Sequence, residues 1–353
     1  MTNTALVSAT GQAHTLEYSF SGKKVRYYLN TPFSQLEHVV PKEKCIVVTD
    51  ENVYSAHASV LTGFATIVIP AGEQHKNQAT VNHIISELIR LEAGRQSVVI
   101  GMGGGVVTDI AGFAASVYMR GLRFGFVPTT ILAQVDASIG GKNGIDAGIY
   151  KNIIGIIRQP EFILFDHTLL NTLPQEQWSN GFAEIIKHAC IKDAELFNLL
   201  EQQQLEDFRQ NGGLLAALIA RNVQIKSDVV SEDEFEAGDR KLLNFGHTIG
   251  HAIENTYELL HGYAISIGME AACSLSVMLT GFAPAARERV CAVLTRYGLP
   301  VRFDYDRKQV FNILKMDKKR SGQYMNFILL KEIGQAEIRR IPLAELEEWI
   351  DSF

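Results

Sequence analysis

The sequence predicts an α/β fold in which a parallel sheet covered by helices is followed by a second, mostly α-helical domain. Three observations lead there. Short β-branched runs alternate with turn residues and helical patterns in the first half, which is the signature of parallel strands joined by helical crossovers. After about Pro174 the apolar period lengthens to that of helices. The chain has 353 residues, more than one compact core usually holds. We therefore expect one domain over residues 1–173 and another over 174–353.

Taken in order, residues 45–50 (Cys-Ile-Val-Val-Thr-Asp), 65–70 (Ala-Thr-Ile-Val-Ile-Pro) and 97–101 (Ser-Val-Val-Ile-Gly) read as buried strands, each followed by turn formers and a helical stretch. Residues 162–166 (Phe-Ile-Leu-Phe-Asp) supply the last strand of the series. Residues 179–200, 212–230 and 237–260 carry helical periodicity. The apolar stretch from Gly262 to Leu279 contains Glu270 and three serines, so it predicts a buried helix and not a membrane span. No internal repeat or low-complexity tract interrupts the pattern.

Composition narrows the function. Hydrophobic residues make up 46% and charged residues 20%, enough apolar material for sizeable cores. A net charge of -6 without a Lys/Arg block argues against an electrostatic nucleic-acid binder. Cys45, Cys190, Cys273 and Cys291 form no C-x-x-C pair, and the N-terminus lacks a basic region followed by an apolar core. A disulfide scaffold and secretion are not expected, and a cytoplasmic compartment is.

The chemistry concentrates in a few places. Asn244-Phe245-Gly246-His247-Thr248-Ile249-Gly250-His251, followed by His261-Gly262, holds three of the ten histidines. On a helix His247 and His251 lie four residues apart on one face, so a divalent metal is the first expectation. Gly101-Met102-Gly103-Gly104-Gly105-Val106 joins a buried strand to a helix expected near Thr108-Asp109. Such a turn lets a diphosphate approach backbone at a helix N-terminus, although Val106 stands where the third glycine of the dinucleotide fingerprint belongs. Asp50 follows a strand and suits ribose hydroxyls or a turn. Gly140-Gly141-Lys142, Lys151-Asn152 and Arg120-Gly121 offer cations and an amide on loops, as a phosphate needs. Glu184, Lys187 and His188 share a helix face among apolar neighbours, and a carboxylate buried there requires a partner.

Together with Val127-Pro128-Thr129-Thr130, the segment Gln134-Val135-Asp136-Ala137-Ser138-Ile139-Gly140-Gly141-Lys142, Phe182-Ala183-Glu184-Ile185-Ile186-Lys187 and Asp317-Lys318-Lys319, these motifs occur in the order found in the 3-dehydroquinate synthases. The chain resembles that family, within the sugar phosphate cyclases, from about residue 50 to about residue 334. The resemblance implies a Rossmann-like NAD domain, a helical domain holding zinc or cobalt, and a homodimer. The implied reaction converts 3-deoxy-D-arabino-heptulosonate 7-phosphate into 3-dehydroquinate and phosphate, in the shikimate route to aromatic amino acids. NAD+ takes a hydride from the C5 hydroxyl and later returns it; phosphate elimination, ring opening and an aldol closure complete the sequence.

By that resemblance the metal ligands are Glu184, His247 and His261, with His251 beside the substrate. Phosphate falls to Lys142, Asn152, Asn244, Lys318 and Arg120, the arginine coming from a partner subunit, and the substrate carboxylate to Lys226 and Arg240. Catalytic roles fall to His251, Lys142, Asn152, Asp136, Lys187 and Asn244. NAD falls to Asp50, Glu73, Lys76, Gly104, Gly105, Asp109, Thr129, Thr130, Lys142, Lys151 and Thr172. The chain departs from the family pattern at Asn143 (frequently threonine), Ile145-Asp146-Ala147 (commonly Val-Asn-His), Asp239 (usually leucine) and Tyr263 (usually glutamate). A cyclase acting on a neutral sugar phosphate such as sedoheptulose 7-phosphate would have little use for Lys226 with Arg240. A polyol dehydrogenase would not need the phosphate set, and a metal or nucleotide sensor would not need Lys142.

Overall fold

The computed structural model describes residues 13–148, 150–315 and 320–352. Contacts divide the chain into two compact units, Met1–Gln177 with Phe208–Phe235, and Trp178–Asp207 with Glu236–Phe353. This differs from a single cut after residue 173. The helix Gly212–Glu232 goes with the first unit, where the Tyr18 hydroxyl donates to Asp228 (3.0 Å) and the Gln159 amide donates to Glu234 (2.9 Å).

The first unit contains β1 (His14–Phe20), β2 (Lys23–Leu29), β3 (Cys45–Asp50), β4 (Ala65–Ile69), β5 (Val98–Gly103), β6 (Arg123–Pro128), β7 (Lys142–Ala147), β8 (Tyr150–Ile157) and β9 (Phe162–Leu164). Seven of them form one sheet in the order β1-β2-β9-β6-β5-β3-β4, parallel throughout except for the β1–β2 hairpin. The expected α/β class is therefore present, and β3, β4, β5 and β9 lie where the β-branched runs place them. They read clearly because strands covered on both faces are apolar at nearly every position. Cys45, Val47, Val98, Ile100 and Leu164 pack in one core beneath the sheet.

The strands missed in the sequence have other signals. β1 and β2 mix polar and half-buried positions, and β6 is interrupted by Gly125. That glycine has a reason: a Cβ there would lie 2.5 Å from the Phe162 ring, so its absence lets the ring pack flat on the strand. β7 and β8 form a separate two-stranded hairpin.

In the second unit, helices Ala194–Gln202, His247–Tyr257, His261–Leu279, Pro284–Arg296, Arg307–Leu314 and Leu343–Ser352 accompany the part of helix Gln175–Lys192 that lies in this unit. Two expected helices are corrected. The stretch 179–200 breaks because Asp193 caps a new helix, accepting from the Leu196 N–H at 2.9 Å. The stretch 237–260 breaks at Gly246, whose φ of 78° no continuing helix adopts; a 3-10 turn Asp239–Asn244 precedes it and His247–Tyr257 follows. The unit also carries an unexpected antiparallel sheet of β10 (Arg320–Ser321), β11 (Tyr324–Glu332) and β12 (Gln335–Pro342). Met325, Phe327 and Leu329 on alternate positions of β11 meet Ala264, Ile267, Ala271 and Leu275 of the apolar helix in one core. That helix is long and apolar enough to cross a membrane, but 72% of its apolar window is buried, as expected of a core helix.

Candidate active site

In the first unit the glycine turn lies at the end of β5. Gly104 is the N-cap of helix Gly105–Val117 and offers no side-chain cap, so the helix begins three residues earlier than periodicity suggested. A Cβ on Gly103 would lie 2.6 Å from Val107, one on Gly104 3.2 Å from Thr130, and one on Gly105 3.1 Å from Ala137. The turn thus presents bare backbone at a helix N-terminus, the arrangement that accepts a diphosphate. Thr129 is buried and, among the described residues, no partner satisfies its hydroxyl. An orphaned buried hydroxyl beside an uncapped turn fits the dinucleotide that the sequence suggested. Gly103→Ala is expected to destabilise the fold by about 1–3 kcal/mol, read as a lowered midpoint in denaturant at unchanged slope.

Around the turn the expected cofactor residues fall into three groups. Asp50 caps helix Glu51–His57, accepting from the Val53 N–H at 2.9 Å, and burial pushes its carboxyl up. Thr172 lies 3.0 Å from His57 Nε2. Lys76 is buried and donates to Asp109 Oδ2 and to Asn152 Oδ1, each at 2.6 Å. Burial pulls its ammonium down, but Asp109, Glu73 and Asp146 outweigh burial and hold the proton more tightly than usual.

The expected phosphate residues of this unit lie on loops and on the hairpin. Lys142 opens β7 and is exposed, directly after Gly140 and Gly141, whose φ angles are 102° and 71°. Lys151 lies in β8. Asn143, one of the departures, closes the hairpin by donating to the Gly141 carbonyl (2.7 Å) and the Arg158 carbonyl (2.9 Å). Arg120 is exposed, and both it and Met119 have left-handed backbone, at φ 65° and 50°. Lys226 pairs with Asp136: its ammonium lies 2.8 Å from Oδ1 and donates to the Asp136 carbonyl.

The second unit holds the histidine block. His247 opens one helix and His261 the next, and Glu184 comes from helix Gln175–Lys192. Glu184 Oε1 lies 3.5 Å from His247 Nε2 and 3.3 Å from His261 Nε2, while its carboxylate forms an ion pair with Lys187 one turn on. Glu184, Lys187 and His188 are all buried. His247 Nδ1 donates to the Phe245 carbonyl (3.0 Å), so Nε2 is the nitrogen that could ligate a metal. His261 Nδ1 bonds Glu254 Oε2 at 3.2 Å. Burial pulls the His261 imidazolium down, yet Glu184 and Glu254 prevail and push it up to about 10. Carboxylates thus lie against both nitrogens of the His261 ring.

Ligand atoms of Glu184, His247 and His261 all lie within 4.8 Å of one another, and so do those of His251, Glu254 and His261. One carboxylate with two imidazoles suits zinc or cobalt. The structure therefore gathers all three histidines, with ring centroids 5.0–5.9 Å apart. Glu254 was missed, although it continues the His247, His251 face by one further turn. Arg240 is 2% exposed in the 3-10 turn, and Asn244 donates to Glu236 Oε1 at 2.7 Å. Lys318 lies outside the described residues.

Comparison with known proteins adds the following. Residues 66–180 match the family described as 3-dehydroquinate synthase N-terminal, and residues 181–320 match 3-dehydroquinate synthase C-terminal. A 3-dehydroquinate synthase of Campylobacter concisus is 39% identical over 324 residues, covering 89% of this chain and 91% of the relative. Another, from Acetivibrio thermocellus, is 38% identical over 336 residues, covering 91% of this chain and 93% of the relative. The 2-epi-5-epi-valiolone synthase of Streptomyces hygroscopicus, solved with NAD+ and Zn2+ bound, superimposes with a TM-score of 0.84 at 30% identity, over 97% of this chain and 98% of that one.

Proposed function

The chain belongs to the 3-dehydroquinate synthase family, and from that premise we propose that it converts 3-deoxy-D-arabino-heptulosonate 7-phosphate into 3-dehydroquinate and phosphate, using NAD+ and a zinc or cobalt ion. The observation that carries this reading is the convergence of Glu184, His247 and His261, a donor set for one divalent ion in the domain that matches the family.

When bound, NAD+ supplies reversible oxidation at C5, and the metal supplies Lewis acidity toward the C4 and C5 oxygens. The chain supplies the rest. Glu184, His247 and His261 hold the ion, with the Phe245 carbonyl and Glu254 orienting the imidazoles. Gly104, Gly105, Thr129 and Thr130 receive the dinucleotide, with Asp50, Glu73, Lys76, Asp109, Lys151 and Thr172 around it. Lys142, Asn152, Asn244 and Lys318 bind phosphate, while Lys226 and Arg240 bind the carboxylate. His251 moves protons at the substrate, and Asp136 and Lys187 fix the charges of Lys226 and Glu184.

A homodimer completes the reading, with Arg120 offered across it. Strand β8 exposes Tyr150, Ile153, Ile154 and Ile156 (40–63% exposed), and among the described residues it pairs only with β7. An apolar strand with an open edge is stabilised by a second copy. Ile154→Lys is expected to shift the protein toward monomer in sedimentation velocity.

The function is tested by supplying NAD+ and zinc with either the heptulosonate phosphate or sedoheptulose 7-phosphate, and following phosphate. We expect release from the acid. Release from the neutral sugar alone would reassign the substrate.

A further inference from the structure

We propose that Asp146 is a positioning residue that, together with Lys76, orients the amide of Asn152 so that its two N–H donors face the phosphate of the substrate. The proposal rests on the assignment of Asn152 to phosphate and goes beyond it by naming what aims the group.

The geometry is a short chain of contacts within the first unit. Lys76 Nζ donates to Asn152 Oδ1 at 2.6 Å. An ammonium can only donate, so the oxygen end of the amide must face Lys76 and the NH2 end must face away. An amide aimed this way presents donors, which phosphate oxygens require. Among the described residues no contact engages that NH2 group, and Asn152 is exposed.

The backbone of Asn152 is held just as specifically. Its φ of 53° is left-handed, a conformation that asparagine tolerates better than most residues but does not prefer. Asp146 Oδ1 accepts the Asn152 N–H at 2.6 Å, and the Asp146 N–H donates to the Lys76 carbonyl at 2.8 Å. Asp146 thus ties the two partners of the amide contact to one another across the β7–β8 hairpin. Lys76 is itself fixed by Asp109 at 2.6 Å. Its contact with Asp109 holds the Lys76 ammonium against the amide oxygen, and its place among the dinucleotide residues is unchanged by this.

The test compares wild type, Asp146→Ala, Asp146→Asn and Asn152→Asp by steady-state kinetics with the heptulosonate phosphate, by NAD+ titration, and by calorimetric titration with inorganic phosphate. Losing a hydrogen bond to a charged group costs about a factor of ten or more, so Asp146→Ala should raise KM about tenfold. Affinity for NAD+ should stay within about twofold, a split that general loosening of the fold would not give. Asp146→Asn keeps an oxygen that accepts the Asn152 N–H and should restore KM to within about threefold of wild type. Asn152→Asp keeps the acceptor for Lys76 but removes the donors, and should raise KM at least as much as Asp146→Ala; it carries the test if Asp146→Ala does not fold. A wild-type KM in Asp146→Ala or Asn152→Asp, or equal impairment of Asp146→Ala and Asp146→Asn, would overturn the proposal. If wild type fails to turn over the acid, the functional reading fails. In that event phosphate affinity decides the positioning role by itself: weaker in Asp146→Ala than in Asp146→Asn supports it, and equal in the two refutes it.

Discussion

His261→Ala is expected to strip the metal and abolish turnover. His261 Nε2 faces Glu184 at 3.3 Å, and its ring also belongs to the donor group formed with His251 and Glu254, so the ion loses a ligand under either arrangement. Perturbing even the outer partners of a metal site costs about 10–100-fold in affinity, so loss of a ligand should cost at least about 100-fold. Metal content after dialysis against a chelator measures it. Two further variants separate the arrangements. Glu184→Ala should empty the site, while His251→Ala should retain metal and lose rate. The opposite pattern would move the ion to His251, Glu254 and His261.

The second large effect comes from a residue with no chemistry of its own. A Cβ on Gly268 would lie 1.9 Å from the Gly246 carbonyl oxygen and 2.8 Å from the Gly250 nitrogen. Gly268 lies in the helix that His261 opens, and Gly246 caps the helix that His247 opens. The contact sets how closely these two helices approach. Alanine would gain about 1 kcal/mol in helix propensity, but overpacking costs about 1–3 kcal/mol or more, and a backbone oxygen cannot rotate away. Gly268→Ala should therefore lower the denaturation midpoint and weaken metal binding without altering a ligand. A variant with the wild-type midpoint and full metal content would show that the helices do not need this approach.

The parts of the fold written in apolar runs were legible. β3 and β5 are buried at nearly every position, so hydrophobicity alone marks them. β12 was not, because Glu337, Arg339 and Arg340 interrupt its apolar residues, and β11 was missed despite its apolar run Phe327–Leu330 because it follows a long helical stretch whose period dominates the region. Helix breaks were hidden for a different reason: Asp193 and Gly246 act through a single cap and a single φ, which periodicity averages away.

At the site, the spacing of His247 and His251 correctly put both rings on one face, and the apolar neighbours of Glu184 marked it as a carboxylate in need of a partner; that it meets His247 and His261 entered only through resemblance, because it lies 63 residues before His247. Glu254 could have been read from the same face. The Lys226–Asp136 and Lys76–Asn152 contacts carry no sequence signal, because they join residues far apart in the chain through its fold.

The central claim is a cyclase whose oxidation is undone within each turnover. Its most direct test is to follow phosphate release and NADH absorbance together while the metal-loaded protein consumes the heptulosonate phosphate. One phosphate and one 3-dehydroquinate for each substrate, with no net NADH, is the predicted result. NADH rising in step with substrate loss, without phosphate, would contradict the account and make the chain a dehydrogenase.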